Sequence, residues 1–188
     1  GFITGLSVVI VPLLSALLLR HRPSREALIG VGLATAGMGF LSLETGVRIA
    51  RGYLLVLLCA FSFALHIVGV SHFGRDADPL ALTFVQLIVV ALASAIMSIS
   101  LGIRWPRPSI SVWGAAAFTG ILATALAFAI QTSMQRFTTA THTALIFTAE
   151  PVFAALFGVL FAEDVLTTQH VVGGLLILGG TVVSEIPQ

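Results

Sequence analysis

One acidic residue and one proline lie side by side in the middle of a long apolar stretch, TALIFTAEPVFAALFGVLFAED. The pair is Glu150 and Pro151. A carboxylate near the centre of a bilayer costs about 3 kcal/mol even on lenient insertion scales. Proline removes a backbone hydrogen bond and bends a helix unless neighbouring groups compensate. We therefore expect both residues to face protein or a water-filled cavity, where the carboxyl group can contact a substrate or exchange protons.

The spacing around Glu150 leaves its role open between two interpretations. Helical periodicity puts Thr143, Phe147, Glu150, Ala154 and Gly158 on one face, and the last two are small enough for close helix packing. In the first interpretation Glu150 lines a cavity and contacts substrate or titrates as protons move. In the second it is a protonated or hydrogen-bonded brace that holds a kinked helix against its neighbours.

Further polar residues lie within other apolar stretches. A midspan His66 can relay protons or bind an anionic substrate, although a neutral histidine bonded to a neighbouring helix is the commoner case. Gln86 shares a helical stripe with Thr83, and Gln131 shares one with Thr124. Such groups line cavities or hold helices together, at roughly 0.6 kcal/mol per bond. Several polar stripes on different helices indicate one shared polar interior.

Polar residues also open the stretch that contains Glu150. Side chains of this kind usually cap the free amides of a helix N-terminus, and a helix N-terminus also attracts anions. The residues are Thr138, Thr139, Thr141, His142 and Thr143. We expect capping, with docking of a substrate carboxylate or phosphate at this helix N-terminus as the alternative. Thr143 is also a candidate for substrate binding or proton coupling.

The composition is that of a membrane protein. Of 188 residues, 57% are hydrophobic and 9% charged, and the mean hydropathy is +1.08. Soluble domains carry about 25% charged residues. The only cysteine is Cys59, and neither metal-ligand spacing, a phosphate-binding loop nor a nucleophile motif occurs. We expect no metal, no cofactor, no enzymatic activity and no nucleic-acid partner.

Apolar stretches of membrane-spanning length recur along the whole chain. About 20 residues cross the hydrocarbon core. On that scale the sequence predicts an all-α, polytopic transmembrane helix bundle with about seven spans: 2–19, 27–44, 52–73, 79–102, 110–132, 140–162 and 168–186.

Arginines in the short loops set the expected orientation. One side collects Arg20, Arg22, Arg25, Arg75 and Arg136, five in all, and the other collects four. Because the tight cluster 20–25 adjoins a span end, we expect that side, and with it the C-terminus, to be cytoplasmic. The four arginines of the other side are Arg48, Arg51, Arg104 and Arg107.

The two ends of the chain show an internal echo. A constant shift of 143 residues along the sequence, which we call the repeat shift, places Gly30 on Gly173 and Gly37 on Gly180. In both copies a span with a proline, Pro12 or Pro151, runs through a charged turn into a glycine-rich span. We expect these prolines to kink their helices and the glycines to form close packing faces. Repeated halves are typical of secondary transporters.

These residues resemble the EamA family of the drug/metabolite transporter superfamily. The segment ALIFTAEPVFAALFGVLFAEDVLTTQHVVGGLLILGGTVVSE resembles the family's penultimate helix, acidic turn and last helix. FITGLSVVIVPLLSALLLRHRPSREALIGVGLATAGMGFL is similar to the matching helices of the first repeat. The resemblance implies a ten-helix fold of two five-helix repeats. Residues 1–44 would be the last two helices of the first repeat, and 52–187 the complete second repeat.

The resemblance also implies an N-terminally truncated fragment, with about three further spans before Gly1. The expected function is a secondary transporter that moves, and more specifically exports, small metabolites or drugs by alternating access. A seven-helix membrane receptor or another non-transport membrane protein is the alternative, suggested by the span count. Expected partners are the lipid bilayer, a small-molecule substrate, protons and a second copy in a homodimer. The expected location is a bacterial plasma membrane.

Overall fold

All regular secondary structure in the described part of the chain is helical. The computed structural model describes residues 5–20, 23–42, 52–103, 108–161 and 164–185. The helices are α1 (Ser7–Leu18), α2 (Arg25–Ser42), α3 (Gly52–Phe73), α4 (Pro79–Ser100), α5 (Ile110–Phe118), a π-helical segment (Thr119–Leu126), α6 (Ala127–Gln135), α7 (Ala140–Phe147), α8 (Glu150–Phe161) and α9 (Thr168–Ser184).

These helices occupy the seven predicted spans, so the all-α prediction is confirmed. Helix α5, the π-helical segment and α6 form one span, Ile110–Gln135, and α7 with α8 forms another, Ala140–Phe161. Among the described residues, four helices are long and apolar enough to cross a membrane: these two, Leu54–Phe73 and Pro79–Ser100. Helices α1 and α9 are shorter apolar helices. The arrangement in ten helices and two repeats stays a prediction.

The orientation signal depends partly on loops that the described ranges omit. Arg22, Arg48, Arg51, Arg104 and Arg107 lie outside the described residues.

Polar side chains cap several of these helices where the turns meet the apolar runs. The Asp78 carboxylate accepts a hydrogen bond of 2.7 Å from the amide of Ala81, and Pro79 takes the first helical position of α4. Thr139 caps α7 by accepting from the amide of His142 at 3.2 Å. Each cap satisfies an amide that the helix itself leaves free.

The last helices of the two echoing segments begin in the same way. The Ser24 hydroxyl accepts from the amide of Ala27 at 3.1 Å before α2. Thr167 caps α9 in a capping box with His170, whose Nδ1 accepts from the Thr167 amide at 3.3 Å. The repeat shift superposes Ser24 on Thr167.

The π-helical segment of the fifth span has no signal in the apolar periodicity. The Thr124 hydroxyl donates to the carbonyl of Thr119, five residues earlier, at 3.0 Å. The Thr119 hydroxyl donates to the carbonyl of Ala115 at 2.9 Å. Threonine hydroxyls thus donate to one backbone carbonyl before the π-helical segment and to another at its first residue.

The chain forms two compact units. The first consists of Gly1–His72 and Thr138–Gln188, and the second of Phe73–Phe137. In the first unit, α2 packs along α9 and α1 packs against α7. Its core includes Val8, Ala34, Ile67, Leu145 and Ile177, all of them buried. In the second unit, α4 packs against α6.

Four glycines let α2 and α9 approach closely. A methyl group at Gly30 would lie 2.5 Å from the carbonyl oxygen of Gly180, and one at Gly180 would lie 2.6 Å from that of Gly30. Gly37 and Gly173 meet in the same way, at 2.5 and 2.7 Å. Since the obstacle in every case is backbone, no other residue fits without separating the helices. We call these four residues the glycine seam.

The pairing within the glycine seam is reciprocal. The repeat shift makes Gly180 the equivalent of Gly37 and Gly173 the equivalent of Gly30. Gly30 contacts Gly180, and Gly37 contacts Gly173, so each glycine contacts the equivalent of the other. The two helices therefore run antiparallel. A two-fold axis that relates each residue to its counterpart produces this kind of exchanged contact.

Candidate functional site

The span that contains Glu150 and Pro151 is a broken helix. Helix α7 ends at Phe147, Thr148 and Ala149 form a turn, and α8 begins at Glu150. Within the turn, the amide of Thr148 bonds the carbonyl of Leu145 at 3.0 Å, three residues back instead of four. Pro151 has no amide hydrogen for the carbonyl of Phe147, which explains why the α-helical ladder stops here.

Hydroxyl groups stabilise the break from two sides. The Thr148 hydroxyl donates to the carbonyl of Leu145 at 2.5 Å. The Thr181 hydroxyl of α9 donates to the carbonyl of Ile177 at 3.1 Å and lies 3.5 Å from the carbonyl of Leu145. Leu145 and Thr148 are buried. These bonds connect the break to the helix that carries half of the glycine seam.

A pocket of ≈ 250 Å³ opens beside the break. Its described lining comes from the first unit and combines one carboxyl group, two hydroxyl groups, a thioether, two aromatic rings and small residues. The lining residues are Gly5, Ser7, Met38, Phe63, Ala144, Phe147, Thr148, Glu150, Pro151 and Ala154. Glu150 is exposed, whereas Ser7 and Thr148 are buried.

Two phenyl rings form the apolar wall of this pocket. The rings of Phe63 and Phe147 meet edge to face, with centroids 5.5 Å apart and planes at 72°. The ring of Phe63 also stacks on the imidazole of His66, with centroids 6.1 Å apart and planes at 14°. His66 is half-buried, so the histidine predicted as a candidate contacts a lining residue but is not itself among the described lining residues.

The structure separates the residues predicted to share a face with Glu150. Phe147 and Ala154 line the pocket. Thr143 is buried in α7, and its hydroxyl donates to the carbonyl of Thr139 at 3.0 Å. A methyl group at Gly158 would meet the carboxylate of Asp164, 2.5 Å away, so the neighbour of Gly158 is the following turn.

The two prolines predicted as kinks lie in different surroundings. Helix α1 runs from Ser7 to Leu18 with Pro12 inside it and buried, whereas the helix at Pro151 is interrupted. Pro151 lines the pocket.

The remaining candidates belong to the second unit. The Nε2 of Gln131 donates to the Oε1 of Gln135, one turn later, at 3.2 Å. The Oε1 of Gln86 and the hydroxyl of Thr132 are buried and have no hydrogen-bond partner among the described residues. Thr83 is buried, and its hydroxyl donates to the carbonyl of Pro79 at 2.8 Å. Helices α4 and α6 thus each carry polar side chains among their described residues.

Most of the pocket lining is not indicated by the sequence pattern around Glu150. Ser7, Gly5 and Met38 come from α1, the segment before it and α2, and no polar pattern singles them out. One signal was available: the repeat shift places Ser7 on Glu150 and Gly5 on Thr148. Both members of each pair line the pocket. Among the described residues, no group of three His, Cys, Asp or Glu side chains could hold a metal ion.

Apolar helices of membrane-spanning length and a broken span beside a pocket are typical of a multi-pass membrane protein. The model of the EamA-like transporter family matches residues 50–185, and the chain belongs to that family. This membership favours a transporter over the seven-helix receptor that the span count also suggested.

Two relatives carry the name of transporters, and a solved structure shares the fold. The chain is 32% identical over 186 residues to an uncharacterized transporter of Archaeoglobus fulgidus, and 24% identical over 187 residues to the uncharacterized transporter YyaM of Bacillus subtilis. The matches cover 99% and 95% of this chain, which spans only 59% and 61% of those proteins. A solved crystal structure shares the fold, with a TM-score of 0.86 at 24% identity, over 99% of this chain and 67% of that one.

Proposed function

We propose that this protein is a secondary transporter that exports small molecules by alternating access, with the pocket beside Glu150 as part of its substrate path. One observation carries the proposal: the single membrane-depth carboxyl group of the broken helix lines a pocket instead of a packed interface. Discontinuous helices around a central site are the usual way in which transporters bind substrates within the membrane.

The hydrogen bonds at the break favour the cavity-lining interpretation of Glu150 over the brace. In the turn between α7 and α8, the Thr148 hydroxyl donates to the carbonyl of Leu145, and the Thr181 hydroxyl lies 3.5 Å from the same carbonyl. Glu150 is exposed and lines the pocket. A carboxyl group that is not needed to hold the bend can bind a substrate or exchange protons with it.

Flux measurements test this function. The full-length protein is reconstituted in proteoliposomes, and release of radiolabelled metabolites is followed with and without a proton gradient. We expect gradient-dependent flux that Glu150→Gln abolishes and that Glu185→Gln, a change of the same chemistry at the end of α9, leaves intact. If neither removing the gradient nor Glu150→Gln alters flux, the proton-coupled mechanism is wrong. If no solute moves, the transport function is wrong.

The cellular setting follows from the same proposal. We place the protein in a bacterial plasma membrane with its C-terminus in the cytoplasm, as a homodimer. Accessibility of a C-terminal tag in intact and permeabilised cells tests the orientation, because a cytoplasmic tag is labelled only after permeabilisation.

A further inference from the structure

We propose that the pocket beside Glu150 selects small molecules with one positively charged nitrogen and an apolar body. The inference rests on the proposed transport function and specifies its substrate class. It combines the charge of the pocket, the shape of its wall and the near-symmetry of its lining.

Among the described lining residues of the pocket, the one side chain that can carry a formal charge is a carboxyl group. Glu150 is the only ionisable side chain among the described residues of the lining, which otherwise offers hydroxyls, a thioether and hydrocarbon. The two helix ends at the break add opposite partial charges. The N-terminus of α8 contributes about +0.5 and the C-terminus of α7 about −0.5, so that they offset each other and leave the carboxylate dominant. An anion would meet uncompensated repulsion in this pocket, whereas a cation would pair with Glu150.

The phenyl wall of the pocket suits an apolar or aromatic body. Phe63 and Phe147 present phenyl surfaces, and the faces of such rings attract cations and stack with other rings. Pro151 frees the carbonyl of Phe147 from its α-helical bond, which supplies a further dipole for a positive group. The volume of ≈ 250 Å³ is that of a small metabolite, just below the range of about 300–1,000 Å³ typical of drug-sized ligands.

The near-symmetry of the pocket explains why one charge suffices. The repeat shift, which also relates the two halves of the glycine seam, places Ser7 on Glu150, and both residues line the pocket. A carboxyl group at both positions would make a site for two positive charges. With a hydroxyl group at Ser7, the structure provides one ionic partner and one neutral hydrogen-bonding group. Ser7 therefore determines the charge that the pocket accepts.

Equilibrium binding to the full-length protein in nanodiscs tests the proposal. The probe is radiolabelled benzyltrimethylammonium, whose charge does not titrate. Competitors are its uncharged carbon analogue neopentylbenzene, the anion phenylacetate and the dication p-xylylene-bis(trimethylammonium). We expect saturable binding of the probe, displacement by neither the neutral nor the anionic compound, and at least tenfold weaker binding to Glu150→Gln, which is about 1.4 kcal/mol. Glu150→Asp should retain most of the affinity.

Two variants control for fold and for general charge. Glu185→Gln removes a carboxylate outside the lining and should bind the probe as the wild type does. Ser7→Glu should bind the dication at least tenfold more tightly than the wild type does. The proposal is overturned if the wild type does not bind the monocation, if neopentylbenzene competes equally, or if Glu150→Gln binds as tightly while remaining monodisperse with an unchanged helix content.

Flux of the same probes separates this inference from the transport function. Glu150-dependent binding without any flux would leave the substrate class standing and contradict transport. Flux of neutral or anionic solutes that does not depend on Glu150 would support transport and overturn the cation selectivity.

Discussion

Replacing Gly37 by alanine should separate α2 from α9. The added methyl carbon would lie 2.5 Å from the carbonyl oxygen of Gly173 and 2.9 Å from Ile177, whereas ordinary contact begins near 3.4 Å. The obstacle is backbone, so the helices must move apart or bend. Overpacking of this kind costs about 1–3 kcal/mol. Separation along the whole seam also loses contacts elsewhere, and we expect the upper half of that range.

Gly39 and Gly32 provide matched controls on the same helix. A methyl group at either position has no neighbour within 4 Å. Gly→Ala there should be neutral or stabilising by up to about 1 kcal/mol, because alanine is the better helix former. The difference between Gly37→Ala and Gly39→Ala is therefore the cost of the close approach, freed from helix propensity.

Thermal unfolding in detergent, followed by helix content and by size-exclusion profile, measures this difference. Gly37→Ala should unfold well below Gly39→Ala. The double variant Gly30→Ala/Gly180→Ala should cost less than the two single changes added together, since one separation of the helices relieves both contacts. If Gly37→Ala is as stable as Gly39→Ala, the glycine seam does not set the distance between the two helices.

Three further predictions concern the break and its surroundings. Pro151→Ala restores an amide donor, so we expect a straighter, equally or more stable helix and at least a tenfold loss of flux in the proteoliposome assay; unchanged flux would show that the break is dispensable. Thr181→Val should lower stability by about 1 kcal/mol because the hydroxyl that donates to Ile177 and contacts Leu145 is lost, whereas Thr181→Ser should not; equal unfolding temperatures of the two variants would contradict this role. The side chains of His142 and Glu185 lie 3.9 Å apart, and Glu185 is 58% exposed. The pair should therefore contribute at most about 0.5 kcal/mol to stability. If the unfolding temperature of Glu185→Gln falls by more than this energy accounts for, the pair is buried in the assembled protein.

The sequence predicted the helices well because lipid permits few alternatives. Spans of about 20 apolar residues and the polar turns between them follow directly from the bilayer. The break at Pro151 was also predictable, since proline cannot donate to the helix ladder. The glycine spacing indicated close packing, and the structure places Gly30 against Gly180 and Gly37 against Gly173.

The pocket lining was not predictable because it depends on which helices meet. Ser7, Met38 and Phe63 are far from Glu150 in sequence, and hydrophobic periodicity does not say which face of one helix meets another. Thr143 shares a helical face with Glu150 in an ideal helix. The turn at 148–149 changes the rotation between α7 and α8, so that Thr143 lies in the packed core instead. The π-helical segment likewise has no compositional signature.

The central claim is that Glu150 faces a pocket that water and small solutes enter. Cysteine accessibility tests it most directly: in a Cys59→Ser background, Ala154→Cys and Phe153→Cys are labelled in membranes with a water-soluble, positively charged methanethiosulfonate reagent. Ala154 lines the pocket, and Phe153 lies about 100° away around α8, where its side chain is 54% exposed. We predict that Ala154→Cys reacts at least tenfold faster than Phe153→Cys and that benzyltrimethylammonium slows it. Equal, slow labelling at both positions would contradict the account, because the face that carries Glu150 would then be as dry as the neighbouring one.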